Sequence, residues 1–287
     1  MSRRITTDHL LATALGLAAL TLYIVTLAPS VATVFDDSLE FQVILPSLGI
    51  AHPTGYPLYT LLGWLASHLL PVGDLAHRVN LLSALAAALT VSLLYLAARR
   101  LDSGRLAAAA AASVFAVGPV WWSQATVAEV YTLHGFFVAL ILLLTLNQRR
   151  AALLFACGLA LTHHRMTLLL APGVAVYLLW NDPGLLRRPR ALLKLALAFL
   201  APLSLYLYLP LRGQTVASLA GAHVNTWSGF WRHVLASDYG TFFSVNPLAV
   251  ERPAAFPLQL LHSQMGLAAL LFGLFGWLAL LKQPRRW

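Results

Sequence analysis

The chain has 287 residues, of which 59% are hydrophobic and only 10% are charged, and its formal net charge is +9. Soluble domains carry roughly 25% charged residues, so this composition excludes an ordinary soluble protein and indicates a multi-pass membrane protein. The one cysteine, Cys157, excludes an intrachain disulfide. The sequence contains neither a phosphate-cradling GxxxxGK[ST] loop nor a GxSxG nucleophile turn, which argues against a nucleotide-driven pump and a serine hydrolase.

The N-terminal apolar run extends from Leu10 to Leu27 and predicts a first transmembrane helix over about residues 9–28. A cleavable secretory signal is the alternative for this segment. The run is close to the roughly 20 residues that span a bilayer and is longer than a usual signal core, and Pro29 lies within the would-be cleavage site. These features favour an uncleaved helix.

The next segment, residues 30–75, contains no full span. Its prolines and glycines divide it into two short helices, Leu39–Leu48 and Tyr56–Leu70, which we expect to be amphipathic or half-buried. Further spans are predicted at about 77–98, 105–122, 129–147, 151–162, 166–180, 191–210 and 264–281. The expected fold is an all-α integral membrane bundle of about eight transmembrane helices, in one domain covering 1–287.

The distribution of basic residues predicts the orientation of the bundle. With the N-terminus in the cytoplasm, fourteen of the nineteen lysines and arginines fall on the inner side. The outer side keeps five, which are Arg78, Arg165, Arg212, Arg232 and Arg252. The basic charge is therefore explained by topology, and a nucleic-acid partner is not expected. Most acids and nine of the ten histidines fall on the outer side, so we expect the chemistry to be extracytoplasmic.

Three acids, Asp36, Asp37 and Glu40, lie within five positions of the first outer loop, which spans about residues 29–76. Clustered acids at a membrane boundary are costly unless they bind a ligand or perform chemistry. Asp37 and Glu40 are three residues apart and would share one helix face, so two carboxylates could address one substrate. The alternative is a solvated helix cap formed by Asp37 or Ser38, which accounts for one acid but not for three.

Other polar residues are predicted at the same outer end. His52 and Tyr56 lie in a Pro- and Gly-containing turn, where Tyr56 could instead be an interfacial anchor. Glu129 precedes an apolar helix, whose dipole it could simply complement. His163, His164 and Arg165 interrupt the apolar sequence and favour a phosphate site, as does Arg212 more weakly. Arg212 opens a long outer loop, about 211–262, in which aromatic residues alternate with Arg and His.

Several separated motifs carry a resemblance to a known family. They are Asp37-Ser38-Leu39-Glu40-Phe41, Gly49 through Tyr59, Arg78 through Ser83, Trp122-Ser123-Gln124, Ala128 through Leu133, and Leu161-Thr162-His163-His164. Across most of residues 20–215 the chain resembles a family of multi-pass membrane proteins that includes the transmembrane-protein-260 type protein O-mannosyltransferases. That family is similar to the C-type (GT-C) glycosyltransferases, which use polyprenyl-phosphate sugars.

The resemblance implies a GT-C-like bundle whose first outer loop carries the catalytic acid between membrane-lying helices. It identifies Asp37 as the expected base, because Asp37 matches the aspartate of the family's Asp-Ser-Gly-Glu-Phe run. Leu39 and Asp36 each replace a glycine of that pattern, so Asp36 stays an alternative base. Glu40, His52, Glu129, His163 and His164 match further polar positions. Arg165 stands where the family has a smaller residue, so its phosphate role is an inference from this sequence alone.

The leading hypothesis is therefore an inverting, metal-independent membrane glycosyltransferase. It would move a sugar from a polyprenyl-phosphate donor to a hydroxyl of a protein, lipid or glycan acceptor on the extracytoplasmic face, as expected for a bacterial plasma-membrane enzyme. No cofactor is expected, although Asp36, Asp37 and Glu40 could hold Mg²⁺ or Mn²⁺. The alternatives are a lipid or small-molecule transporter or flippase, and a non-catalytic membrane scaffold. A transporter should place its polar residues near mid-membrane rather than at one face.

Overall fold

The computed structural model describes residues 7–218, 223–240 and 252–281. Within these residues the regular structure is helical. The thirteen α-helices that we number along the chain are α1 (Thr7–Val25), α2 (Asp36–Ser47), α3 (Pro57–Leu69), α4 (Leu75–Arg100), α5 (Arg105–Ala116), α6 (Pro119–Ala125), α7 (Val130–Leu146), α8 (Arg150–His163), α9 (Ala171–Asn181), α10 (Pro189–Leu203), α11 (Tyr208–Arg212), α12 (Trp227–Val234) and α13 (Phe256–Leu281). Short 3₁₀ turns occupy Arg165–Leu170, Leu185–Arg187, Ser204–Leu207 and Ser237–Gly240.

Three helical segments are long and apolar enough to cross a membrane, namely Thr7–Val25, Leu75–Arg100 and Pro189–Arg212. The number rises to five if two bent pairs, Arg105–Ala116 with Pro119–Ala125 and Phe256–Leu267 with Ala269–Leu278, each count as one span. Val130–Leu146 and Arg150–His163 are apolar but shorter. The structure thus confirms an all-α chain with several candidate spans, whereas the count of eight stays a prediction.

The predicted span at about 105–122 is bent by 64° between α5 and α6. Gly118 and Pro119 separate the two helices, and a proline is best tolerated at the first position of a new helix. The predicted span at about 166–180 begins as the 3₁₀ turn Arg165–Leu170 and becomes α-helical only at Ala171. The two short helices that the sequence predicts within residues 30–75 occur as α2 and α3, whereas their position along the membrane surface stays a prediction.

Helix α4 is central to the bundle and packs against α1, α5 and α7. Its contacts with α1 and α5 are made by small side chains such as Ala84, Ala88 and Ala112, which allow the helix axes to approach closely. Helix α8 packs against α7 and α10. Gly158 is required at the α8–α10 contact, since a Cβ atom there would lie 2.2 Å from the Phe199 carbonyl oxygen.

A buried amide connects the first loop to the rest of the bundle. The Asn80 side chain of α4 is fully buried and donates to the carbonyl oxygens of Ala28 and Ser30, at 3.1 Å each. Its Oδ1 accepts from the Ala128 N–H at 2.9 Å and from Gln42 Nε2 at 3.1 Å. Four hydrogen bonds therefore fix the loop after α1, helix α2 and the approach to α7 around one side chain.

Candidate active site

The first turn of α2 places the predicted acids at one end of the bundle. We call this end the site end; it contains the start of α2, the start of α7 and the end of α8. Asp36 is exposed, and the Asp37 side chain is 44% exposed, so both are open to solvent or a ligand. The Glu40 side chain, one turn further on, is only 14% exposed. Their position at a helix N-terminus favours negative charge, because unpaired N–H groups point toward it.

Glu40 holds His52 in a fixed orientation. One carboxylate oxygen accepts from the His52 backbone N–H at 2.8 Å, and the other bonds to His52 Nδ1. This leaves Nε2 facing the Tyr56 hydroxyl at 3.2 Å and Asp37 Oδ2 at 3.9 Å. Burial lowers the pKa of His52, but the hydrogen bond to Glu40 and the charges of Glu40 and Asp37 outweigh it, and the net pKa is raised. The structure therefore brings Asp37, Glu40, His52 and Tyr56 together.

Potential metal ligands are present in this group. One ligand atom from each of Asp37, Glu40 and His52 lies within 4.8 Å of the others. Two members of the group already bond to each other, through Glu40 Oε2 and His52 Nδ1. This bond accounts for the orientation of His52 without an ion, and the expectation that the group works without a metal stays a prediction.

Glu129 lies behind these residues and is 1% exposed. Its Oε1 accepts from the Ser38 hydroxyl at 2.9 Å, while Oε2 is buried without a hydrogen-bond partner among the described residues. Burial, together with the nearby charge of Asp37, raises the pKa of Glu129 to about 7, although the Ser38 hydrogen bond acts in the opposite direction. A buried carboxyl group that is partly protonated near neutral pH can donate a hydrogen bond as well as accept one.

The two adjacent histidines have different surroundings. His163 is fully buried, and its Nε2 donates to the Val130 carbonyl oxygen at 2.8 Å. That bond joins the end of α8 to the start of α7, so it gives His163 a role in holding the two helices together. His164 is 9% exposed, and its Nδ1 accepts from the Met166 N–H at 3.2 Å. A neutral ring that accepts at Nδ1 carries its proton on Nε2, which is then available as a donor.

His164 belongs to a cationic and imidazole-rich group that contains a residue the sequence analysis missed. The ring of His134, on α7, lies 5.0 Å from the His164 ring, and Arg165 follows His164 directly. Arg165 is half-buried, and no carboxylate lies within 4.0 Å of its guanidinium among the described residues. Burial, with the charges of His134 and Arg165, lowers the pKa of His164 to about 4, which keeps its ring neutral. His134 is a lone histidine in an apolar helix, and nothing in the sequence marked it as a site residue.

Arg212 lies at the other end of α2 from Asp37. Its guanidinium donates to the carbonyl oxygens of Leu48, at 2.8 Å, and Ser47, at 3.3 Å. A third nitrogen bonds to the Thr215 hydroxyl at 3.4 Å. Arginine near a helix C-terminus satisfies carbonyl groups that have no partner within the helix. The structure therefore places Arg212 as a cap of α2, and its predicted contact with phosphate stays a prediction.

Two tyrosines complete the surroundings of Asp37. Tyr131, at the start of α7, is 46% exposed. Tyr239 lies in the 3₁₀ turn Ser237–Gly240 of the long loop. Burial raises the pKa of Tyr239, and the charges of Asp37 and Glu40 raise it further. Both acids therefore act electrostatically on part of the aromatic loop that the sequence predicts at 211–262.

The site end consequently has two chemically different halves. The acids Asp36, Asp37 and Glu40 are on α2, whereas His134, His164 and Arg165 come from α7 and the segment after α8. Tyr56 lies between the halves, since its hydroxyl contacts His52 at 3.2 Å and its ring centroid is 5.9 Å from that of His164. This arrangement can hold an anionic group on one side and a hydroxyl group on the other.

Comparison with known proteins gives the family. The chain is 35% identical over 222 residues to the mouse protein named Protein O-mannosyl-transferase TMEM260, a match that covers 72% of this chain and 31% of the mouse protein. It is 27% identical over 244 residues to the Dictyostelium discoideum protein of the same name, covering 77% of this chain and 30% of that protein. The chain thus spans about a third of the length of these relatives. No solved structure matches it.

The match to a family model covers residues 37–186, just over half of the chain. This range begins at the aspartate of the first turn of α2 and includes Glu40, His52, Glu129, His164 and the helices that position them. The resemblance seen in the separated sequence motifs is thereby confirmed. The chain belongs to the family described as the Protein O-mannosyl-transferase TMEM260 N-terminal domain.

Proposed function

We propose that this chain carries the active site of a membrane mannosyltransferase that uses a polyprenyl-phosphate mannose donor and transfers the sugar to a hydroxyl group of a protein. The relatives' names supply the sugar and the class of acceptor. The observation that carries the proposal is the separation of carboxylates and cationic groups across Tyr56. A glycosyl phosphate needs both, because a base must activate the acceptor while fixed donors stabilise the departing phosphate.

In the proposed step the Asp37 carboxylate takes the proton of the acceptor hydroxyl. The acceptor oxygen forms a bond to the anomeric carbon from the face opposite the phosphate. The bond between that carbon and the phosphate oxygen breaks, and its electron pair leaves with the polyprenyl phosphate. One displacement inverts the anomeric configuration, and the proton ends on Asp37.

Of the two candidate bases, the geometry favours Asp37. Asp37 Oδ2 lies 3.9 Å from His52 Nε2, and Glu40 fixes the orientation of that ring. Asp36 is exposed and forms no hydrogen bond or ion pair among the described residues. His164 Nε2 and the Arg165 guanidinium would face the phosphate as hydrogen-bond donors. We place the reaction on the extracytoplasmic side, following the excess of basic residues on the opposite side.

The test is mannose transfer in proteoliposomes from radiolabelled polyprenyl-phosphate mannose to a hydroxyl-containing peptide. We expect Asp37→Asn to lose at least about a thousandfold in rate, since an amide cannot accept the proton, while Asp36→Asn stays within about threefold of wild type. Equal loss in both variants would contradict the assignment of the base.

The same mannose-transfer assay, repeated with a chelator, tests whether the mechanism is independent of a metal ion. Activity that survives exhaustive chelation supports it, whereas activity lost on chelation and restored by Mg²⁺ or Mn²⁺ would require an ion at Asp37, Glu40 and His52. If wild-type protein moved the lipid across the bilayer without transferring sugar, a flippase would replace the transferase.

A further inference from the structure

Helix α12 carries an exposed apolar stripe that the proposed transfer step does not use. The stripe consists of Trp227, Trp231 and Leu235, which are 76%, 43% and 63% exposed among the described residues. Because they are four residues apart, they lie on one side of the helix. The two indole rings contact each other edge to face, with centroids 5.6 Å apart. A contiguous stripe of this kind, unlike a single exposed apolar residue, indicates a surface that another molecule covers.

A second side of α12 packs against the bundle. Phe230 and Val234 pack against the buried cluster that contains Leu209 of α11. His233 is fully buried, and a Cβ atom at Gly55 would lie 3.1 Å from its Nε2. The helix is therefore held against the bundle by residues that the stripe does not include.

Helix α12 also has a polar side. Ser228 and Arg232 are exposed and four residues apart. They lie beyond the stripe on the side remote from Phe230, because each residue turns the helix by about 100°. The Arg232 guanidinium pairs with the Asp238 carboxylate at 2.6 Å. A helix at the edge of a membrane bundle needs these three sides, one against protein, one against lipid and one against water.

The contact with Leu209 sets the level of α12 relative to the membrane. Leu209 lies three residues before Arg212, where the candidate span Pro189–Arg212 ends. Three residues correspond to about 4.5 Å at 1.5 Å per residue of helix. Helix α12 is therefore level with the last turn of that span, where hydrocarbon gives way to headgroups. Tryptophan is enriched at this level, since its ring is apolar and its indole N–H can bond to headgroups or water.

We propose that α12 binds the lipid surface at the site end of the bundle through the stripe of Trp227, Trp231 and Leu235. The contact is apolar, because the three residues carry no charge and the charge of Arg232 is paired. The charge of the lipid headgroups should therefore have little effect on it. The inference goes beyond the proposed function and does not depend on it. A soluble acceptor protein and a second copy of this chain are the alternative occupants.

Nitroxide labels test this contact in the full chain, reconstituted in lipid nanodiscs. In a Cys157→Ala background, Leu235→Cys places the label on the stripe, and Ser228→Cys on the polar side of the same helix is the matched control. The measurement is the ratio of collisions with oxygen, which concentrates in the bilayer, to collisions with a water-soluble nickel chelate. We expect this ratio to be roughly fivefold or more higher at Leu235→Cys than at Ser228→Cys, with and without anionic phospholipid.

Three results would overturn the inference. If the nickel chelate reached both labels equally, the stripe would be open to water and left for a soluble partner, since the assay contains no acceptor. If both reagents were excluded from Leu235→Cys, protein rather than lipid would cover the stripe, and a difference between nanodiscs holding one chain and two would identify a second copy. If the ratio rose only with anionic phospholipid, the contact would be electrostatic rather than apolar. Trp231→Cys supplies a second label position if Leu235→Cys does not fold.

Discussion

The Ser38 hydroxyl donates to Glu129 Oε1 across 91 residues of sequence, at 2.9 Å. Ser38 directly follows Asp37 in the first turn of α2, and Glu129 precedes α7. The Glu129 backbone N–H in turn donates to the Ser83 hydroxyl of α4 at 3.1 Å. Glu129 thus links the turn that carries the proposed base to α4, because its carboxylate accepts from Ser38 and its backbone N–H donates to Ser83.

Glu129 should make stability depend on pH. Its folded-state pKa of about 7 lies above the ordinary value of 4.5, so the folded protein binds more protons than the unfolded chain between these values. The free energy of unfolding should therefore fall as pH rises from about 4.5 to about 7, by an amount on the order of 3 kcal/mol.

Glu129→Gln keeps a group that accepts from Ser38 but cannot ionise. Thermal unfolding in detergent should then show a flatter profile than wild type across the same interval, with the two proteins most alike at the acid end. Parallel profiles for the two proteins would show that Glu129 does not titrate in this range.

Glu40→Gln should lower the pKa of His52. The glutamine removes the negative charge that, with Asp37, favours the imidazolium, whereas burial continues to disfavour it. Histidine-selective ¹⁵N NMR of the detergent-solubilised chain measures this pKa, and the His52→Gln spectrum assigns the signal. A His52 signal that titrates identically in wild type and Glu40→Gln would contradict the proposed pairing.

Asn80→Ala should destabilise the protein by about 2–4 kcal/mol, because it leaves buried partners of four hydrogen bonds without a donor or acceptor. Asn147→Ala is the control: that side chain is only half-buried and donates to the Leu143 carbonyl oxygen alone. Its loss should cost less than about 1 kcal/mol. Denaturant unfolding followed by tryptophan fluorescence compares the two, and equal costs would refute the role assigned to Asn80.

Arg212 and Arg165 should respond differently to the loss of charge. Arg212→Gln removes donors to the C-terminal carbonyls of α2, so we expect lower thermal stability with the donor KM changed less than about threefold. Arg165→Gln should leave stability nearly unchanged and raise the donor KM by roughly tenfold or more, because its guanidinium is assigned to the phosphate. A larger increase in the donor KM in Arg212→Gln than in Arg165→Gln would instead assign phosphate binding to Arg212.

The elements of this fold follow from local sequence more readily than the site does. The predicted helices Leu39–Leu48 and Tyr56–Leu70 occur as Asp36–Ser47 and Pro57–Leu69. Gly49 follows the end of α2 and Pro57 begins α3, whereas Pro46 lies inside α2. The bend between α5 and α6 was not predicted, although Gly118 and Pro119 mark it in the sequence. Apolar composition continues across the bend, so hydropathy alone does not distinguish one long helix from two.

Adjacent positions in the site show what sequence cannot resolve. His163 and His164 are identical residues at adjacent positions. His163 nevertheless bonds to a carbonyl oxygen inside the bundle, whereas His164 faces Tyr56 and His134. Which side chain turns inward depends on where α8 ends and on how it packs against α7. His134 was missed for the same reason, because its proximity to His164 arises only from tertiary contact.

The capping of α2 by Arg212 limits where the chain can be truncated. The match to the family model ends at Leu186, but Arg212 and Tyr208 lie beyond it and donate to the carbonyl oxygens of Leu48 and Gly49. Tyr206 likewise donates to the carbonyl oxygen of Leu161 at 2.9 Å. A fragment cut at Leu186 would leave these carbonyl groups without their side-chain donors. A fragment that keeps these three hydrogen bonds must therefore extend at least through Arg212, the last residue of α11.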